Sequence, residues 1–365
     1  MKLECLKDKL QRGVYLTEKM TGRNLSLTVL SNILLSASSQ NKQLIIRATN
    51  LDIGIEVKIP ALVAKDGVLA VKPGILGNFI NNLKEEKISL EAVNNNININ
   101  TKSGQTVIKC ESADDFPIIP VINKGNKLTI PAIDLINGLR SVFFAASSSD
   151  IKPEISSVYI YQENHNLIFV ATDSFRLAEI KIPLDNKSEF NPVILPFKNI
   201  SEIIRVFDNS QGNIDIYSDK NQISFHTDEL FLTSRIIDGV YPDYRQIIPK
   251  QFKTKIIINK EEFISALKIS NIFLDRFNQI SFSVDNKGLL TIKSQNQEIG
   301  ENSITLPSKI DNEGMSINLN ARYLSEVLNL ITGEVIINFN EPNKPLFIQG
   351  SDNNNFSYIV MPLNR

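Results

Sequence analysis

The sequence predicts an α+β fold made of three repeats, each with two helices packed on antiparallel sheet. Three observations predict it. The apolar pattern recurs with a period of about 125 residues, each repeat opens on an i, i+4 apolar stripe, and each later shows period-two alternation. A chain of 365 residues is long enough for two or three domains at roughly 100–200 residues each.

Each element follows from its residues. Lys2-Leu3, Lys127-Leu128 and Lys255-Ile256 open a short apolar stretch at the start of each repeat. Leu10 and Val14, Leu135 and Leu139, and Phe263 and Leu267 then stand four apart, which puts each pair on one face of a helix. A second helix is predicted from Pro73 to Leu83, from Pro196 to Phe207 and from Asn320 to Ile331. Proline's fixed φ or an asparagine cap suits the first turn of each. Strands with one wet face follow at Ile97-Asn98-Ile99-Asn100, Ile214-Asp215-Ile216-Tyr217 and Val335-Ile336-Ile337-Asn338-Phe339. The first two repeats both end Ile-Ile-Pro, at Ile118-Ile119-Pro120 and Ile247-Ile248-Pro249, and polar linkers follow at 123–127 and 250–255. The expected domains are 1–122, 127–249 and 251–365.

Composition narrows the function. With 42% hydrophobic and 22% charged residues, the chain is expected to fold rather than stay disordered. A net charge of −1 argues against gripping nucleic acid by bulk electrostatics, so any such contact is expected to be local or topological. Cys5 and Cys110 are too few for a disulfide framework or a thiolate metal site. The charged start lacks a secretory core, and no apolar run approaches the ~18 residues of a membrane span, which predicts a soluble cytoplasmic protein. His165 sits in a predicted hairpin turn and His226 in a strand, neither in a metal spacing, and no phosphate-binding glycine motif occurs. No metal, cofactor or catalytic residue is expected, and an enzyme working around Asp173 and Arg176 is the rival reading.

Four segments carry a family resemblance. They are Asp115-Phe116-Pro117, Ala171-Thr172-Asp173-Ser174-Phe175-Arg176-Leu177-Ala178, Asp238-Gly239-Val240-Tyr241-Pro242-Asp243-Tyr244-Arg245 and Tyr358-Ile359-Val360-Met361-Pro362-Leu363. In this order, on a threefold repeat, they resemble the bacterial DNA sliding clamps, the beta subunits of DNA polymerase III. The resemblance implies a head-to-tail homodimer whose six domains close into a ring around duplex DNA, sheets outside and helices lining the hole. Such a ring confers processivity without catalysis; the alternative is a three-domain binding module that forms no ring.

The resemblance also implies sites. A partner-peptide groove between the second and third domains would comprise Ile155, Thr172, Ser174, Phe175, Arg176, Leu177, Pro242, Ile247, Val360, Met361, Pro362 and Leu363. Its partners would be the replicative polymerase catalytic subunit, the clamp loader, other polymerases and repair proteins carrying short linear motifs. Arg176 would bond peptide carbonyls or else pair with Asp173. The family commonly has Gly-His where Ser174-Phe175 stand, and its chains often end soon after the Met-Pro pair, whereas Asn364-Arg365 follow Leu363 here. Arg23, Lys152, Lys198 and Arg205 match basic positions facing DNA, each with a solvated helix face as the plain alternative. The stretch 7–23 carries Lys7, Lys9, Arg12, Lys19 and Arg23 against Asp8 and Glu18, a net +3. Pro153 and Glu154 stand where the family often has DNA-contacting aromatics. Ile108 and Cys110 on the first domain, and Ile272 and Phe273 on the third, match the dimer contact, with ordinary core as the alternative for all four.

Overall fold

The computed structural model describes residues 1–22, 27–101, 104–122, 127–184 and 189–363. Arg23, most of the 123–127 linker and Asn364-Arg365 lie outside these residues. Six helices occupy the predicted places: α1 Lys7–Glu18, α2 Pro73–Asn81, α3 Ala132–Phe143, α4 Phe197–Phe207, α5 Lys260–Ser270 and α6 Ala321–Leu328. The first helix of each repeat starts within two residues of the end of a five-residue strand, Lys2–Leu6, Lys127–Pro131 or Thr254–Ile258. All six stripe residues from Leu10 to Leu267 are buried. Pro73 opens α2, and the Asn320 side chain accepts from Arg322 N–H at 3.0 Å at the start of α6. A second asparagine cap, at α5, went unread in the sequence: Asn259 accepts from Glu261 and Glu262 N–H at 3.0 and 3.1 Å.

Compactness divides the chain differently from the repeats. One unit comprises Met1–Ile136 and Asn186–Asp238, the other Asn137–Asp185 and Gly239–Arg365. The division falls inside the second repeat because each half of its strands joins a neighbour's sheet. In the first unit, the long strand Ile53–Lys65 pairs through its later half with Lys2–Leu6 and through its earlier half with Leu230–Arg235. In the second unit, Arg176–Pro183 pairs with Asn353–Val360, in register Arg176 to Val360 and Ile180 to Phe356. Backbone hydrogen bonds therefore run unbroken from repeat to repeat inside each unit.

One strand departs from its predicted pattern. Ile97 and Ile99, and Ile214 and Ile216, alternate as expected, but Val335–Phe339 is buried at every position. It lies inside the sheet, bonded to Thr254–Ile258 on one side and Leu346–Gly350 on the other, and is covered on both faces.

Helix α3 packs so closely on its sheet that only glycine fits at one point. A Cβ built on Gly138 would lie 2.5–2.7 Å from three ring carbons of Phe169, a fully buried side chain. Alanine ordinarily favours a helix interior by about 1 kcal/mol over glycine. The clash has the opposite sign and is larger, about 1–3 kcal/mol for overpacking a filled core. Gly138→Ala should therefore destabilise, lowering the urea midpoint of the second unit; an unchanged or higher midpoint would show that Phe169 moves aside freely.

Candidate functional site

The residues of the expected peptide groove all fall in the second unit, and backbone pairing brings two of its segments together. Strands Asn166–Thr172 and Arg176–Pro183 form a hairpin with Asp173, Ser174 and Phe175 in its turn. The turn is tied several times over. Thr172 Oγ1 donates to Arg176 O at 2.6 Å and accepts from Ser174 N–H at 3.1 Å. Asp173 Oδ1 accepts from Phe175 and Arg176 N–H at 2.9 and 3.0 Å. On the far edge of the hairpin runs Asn353–Val360, beyond which Met361 N–H donates to Phe175 O at 2.8 Å and Leu363 N–H to Asn318 O at 2.8 Å.

Burial sorts these residues into floor and walls. Thr172, Leu177, Val360 and Pro362 are buried, whereas Met361 and Leu363 are half-buried and Phe175 is 60% exposed. Ser174 has φ +77°, the left-handed region where a side chain is strained and glycine is not. That is the position at which the resembled family commonly has glycine.

Arg176 is engaged inside the turn. Its side chain is buried; Nε donates to Asp173 Oδ2 at 2.9 Å, Nη2 donates to Phe144 O at 2.7 Å, and Nη1 pairs with Glu326. The guanidinium also lies over the Tyr323 ring, 4.4 Å from its centroid. Of the two readings left open by the sequence, pairing with Asp173 holds, and Glu326 shares the charge. Arg176 is a positioning residue for the turn.

The 239–250 segment is held by tyrosines. Tyr241 is buried and stacks on Tyr159 at 4.8 Å, which stacks on Tyr161 at 4.9 Å. The Tyr244 hydroxyl donates to buried Glu179 and accepts from the Tyr161 hydroxyl at 2.7 Å, and Arg245 Nη2 donates to the Tyr161 oxygen at 2.7 Å. Burial, reinforced by the Glu179 carboxylate, pushes the Tyr244 phenol well up, so it stays a proton donor. Pinned in this way, the segment leaves Pro242 and Ile247 exposed, and Gly239 lies against the Glu154 side chain beside half-buried Ile155. Sequence reading missed this lock. Its signal was Glu179, a carboxylate in an apolar strand, which needs a buried partner.

The expected DNA-facing bases separate. Lys152 and Lys198 are exposed. Arg205 is committed elsewhere: it donates to Glu202 at 2.8 Å and to Tyr15 O and Leu16 O at 2.9 Å each, capping the carbonyl end of α1 and stacking over Tyr15. On α1 itself, Lys9 and Arg12 share Glu229 at 3.3 Å each, which lowers the excess positive charge expected there.

On the first unit, strand parity separates the residues near the expected contact by exposure. Strand Gly104–Lys109 is a sheet edge, bonded among the described residues to Asn96–Thr101. Ile108 is 5% exposed and belongs to the core, while its neighbour Val107, 57% exposed, faces outward. Ile75, also exposed, lines the same cleft with Val107 and half-buried Cys110. On the second unit Ile272 is 61% exposed and Phe273 half-buried against Gly300. Gly300 begins a strand that pairs with Leu289–Asn296 over 300–307 and with Thr254–Ile258 only over 308–311, which leaves one edge of 300–307 unpaired among the described residues.

Among the described residues no His, Cys, Asp and Glu cluster is placed to hold a metal, and no helix is long and apolar enough to cross a membrane. His165 lies in a hairpin turn at φ +61°, and His226 ends a strand with its ring against Tyr217 and Phe231.

Residues 1–120, 129–243 and 245–364 match, in order, the families described as the N-terminal, central and C-terminal domains of the DNA polymerase III beta subunit. The chain is similar to the beta sliding clamp of Synechococcus elongatus, 28% identical over 372 residues with 100% of this chain and 99% of the relative covered. It is 26% identical over 379 residues to the beta sliding clamp of Bacillus subtilis, at the same coverage. The crystal structure of the DNA polymerase sliding clamp from Bacillus subtilis superimposes with a TM-score of 0.94 at 25% identity, covering 100% of this chain and 99% of that one.

The turn's two devices act in opposite directions on stability. Arg176→Ala should cost about 2–4 kcal/mol by stranding Asp173 and part of Glu326, whose other oxygen keeps Arg322. Ser174→Gly should gain about 1 kcal/mol by releasing the left-handed strain, less what a freer unfolded chain takes back. Hydrogen-exchange protection of the 176–180 amides reads both changes. A loss with glycine would mean that the turn is unstrained.

Proposed function

The chain belongs to the DNA polymerase III beta subunit family, and from that premise we propose that two copies close head to tail around duplex DNA as a sliding clamp. The observation that carries the reading is the end-to-end match of three domain families, in order, on a threefold repeat. The work is topological and needs no catalytic residue. A closed ring holds DNA without strong contacts, which suits a net charge of −1. Weak phosphate contacts from exposed bases such as Lys152 let it slide, whereas base readout would stall it.

Closure requires two complementary surfaces on each copy, since a head-to-tail contact gives a ring only when its rotation closes. The proposed pair is the Gly104–Lys109 edge with Val107 and Ile75, and the open 300–307 edge with Ile272 and Phe273. Both offer unpaired backbone groups beside exposed apolar side chains. Lys72 and Lys109 beside the first edge face Glu298 and Glu301 at the second with opposite charge.

The groove supplies the tether. Buried Leu177 and Val360 form its floor, Met361 and Leu363 its walls, and exposed Phe175 and Ile247 its rim, an apolar channel for an extended peptide. Partners held there, the replicative polymerase, the clamp loader and repair factors, gain an effective concentration of roughly millimolar near DNA. Such work belongs in the cytoplasm.

Two measurements test this. The protein loaded on nicked circular DNA should be lost when the circle is cut, and Val107→Asp or Ile272→Asp, which buries a charge in the contact, should sediment as a monomer and not be retained. Retention on linear DNA would refute enclosure. Met361→Ala should weaken a polymerase-derived peptide about tenfold or more in calorimetry while leaving the dimer intact, because the Met361 N–H bond to Phe175 O survives. Unchanged affinity would remove Met361 from the groove.

A further inference from the structure

The turn that builds the groove exists twice. Thr49 Oγ1 donates to Ile53 O at 2.9 Å and accepts from Leu51 N–H at 3.0 Å, as Thr172 does with Arg176 and Ser174. Asn50 Oδ1 accepts from Asp52 and Ile53 N–H at 3.0 and 2.9 Å, in the place of Asp173. Leu51 has φ +79° against +77° at Ser174. At the end of the paired strand Arg235 N–H donates to Asp52 O at 2.8 Å, and beyond it Ile237 N–H donates to Ile194 O at 2.9 Å, matching the bonds of Met361 and Leu363. All of this lies within the first unit.

A cleft of about 640 Å³ opens on this second turn, within the usual size of ligand sites. Its lining includes Ile118, 94% exposed, from the segment whose counterpart supplies Ile247 to the first groove. Its floor is already filled: Gly54 replaces Leu177, and Ile119 packs where a Gly54 side chain would stand, 2.8 Å from the Cβ position. Its rim differs in charge. Asp52 stands where the first groove presents Phe175, and Asp219 and Asp238 join it against Lys220 and Arg235. None of the three carboxylates forms an ion pair among the described residues.

We infer that this cleft is a second peptide-docking site, taking a short extended segment in which an aliphatic or aromatic anchor is flanked by a basic residue. The anchor covers Ile118 and Leu51, and the base meets Asp52 and Asp238. A left-handed leucine costs more than a left-handed glycine, and 42% exposure of that leucine leaves an apolar contact uncovered. Partners of the two grooves are separated by charge: an acidic flank is repelled by Asp52 and tolerated beside Phe175.

The inference rests on reading the first groove as a peptide site, so the test reports each groove separately. The full-length protein, labelled at isoleucine δ1 methyls, is titrated with an acetylated Lys-Leu-Phe-Lys peptide amide and with its Glu-Leu-Phe-Glu counterpart. The lysine peptide should move the Ile118 and Ile236 methyls, the glutamate peptide should not, and Asp52→Lys with Asp238→Lys should weaken the lysine peptide about tenfold. Silence of both methyls at millimolar peptide, or equal response to both peptides, overturns the second site. Movement at Ile118 with silence at Ile247 would sink the first groove and leave this one standing.

Discussion

A strand edge must be paired, covered or used, because its free N–H and C=O groups otherwise invite another chain. That constraint organises this molecule. The middle repeat closes its edges by giving one set of strands to the first repeat, through 53–57 and 230–234, and the other to the third, through 176–180 and 356–360. Among the edges left open, 104–109 and 300–307 carry exposed apolar neighbours. In a ring of two copies these edges would be used rather than blunted, so the interaction that joins repeats within a chain would also join chains.

Pairing across repeats also explains where the two proposed grooves would lie. Each forms where a hairpin turn from one repeat meets the last strand of the next and the chain segment that leaves it. The turn is fixed by side-chain bonds from Thr and Asx residues, the exit strand by one backbone bond to the turn, and the linker by packing. The same local sequence, Ala-Thr-Asn or Ala-Thr-Asp, produces the same turn at 48–50 and 171–173 because these side chains satisfy turn amides that the ladder cannot reach.

Much of this was legible in the sequence because it is local or periodic. The i, i+4 stripes, the helix starts at Pro73 and Asn320 and the turn chemistry depend on neighbours within four residues. What was illegible depends on partners far along the chain. Arg205 caps a helix 190 residues away in sequence, and Arg176 reaches Glu326 across 150. Matching positions across a short gap left Ile108 open between dimer contact and core; a slip of one residue exchanges the two faces of a strand, and Val107 is the outward residue. The all-buried strand at 335–339 was unreadable for a related reason, since alternation reports one wet face only when the sheet has one.

Strain at the first groove's turn has to be weighed against what holds it. A left-handed serine costs about 1–2 kcal/mol, and each hydrogen bond returns about 0.5–1.5 kcal/mol net. Four side-chain bonds within the turn therefore offset the strain even at the low end, about 2 kcal/mol against its upper bound, and the buried Arg176 pairs add to them. The turn is over-determined and has one conformation open to it. In the proposed groove, a wall fixed beforehand would spare the ordering entropy that a mobile loop loses when a peptide arrives. Met361 and Leu363, half-buried and held through their backbone N–H groups, would be the adaptable wall, since an unbranched thioether can repack around different peptides. Rigid on one wall and adaptable on the other, the proposed groove would suit several partners that share an anchor and differ around it.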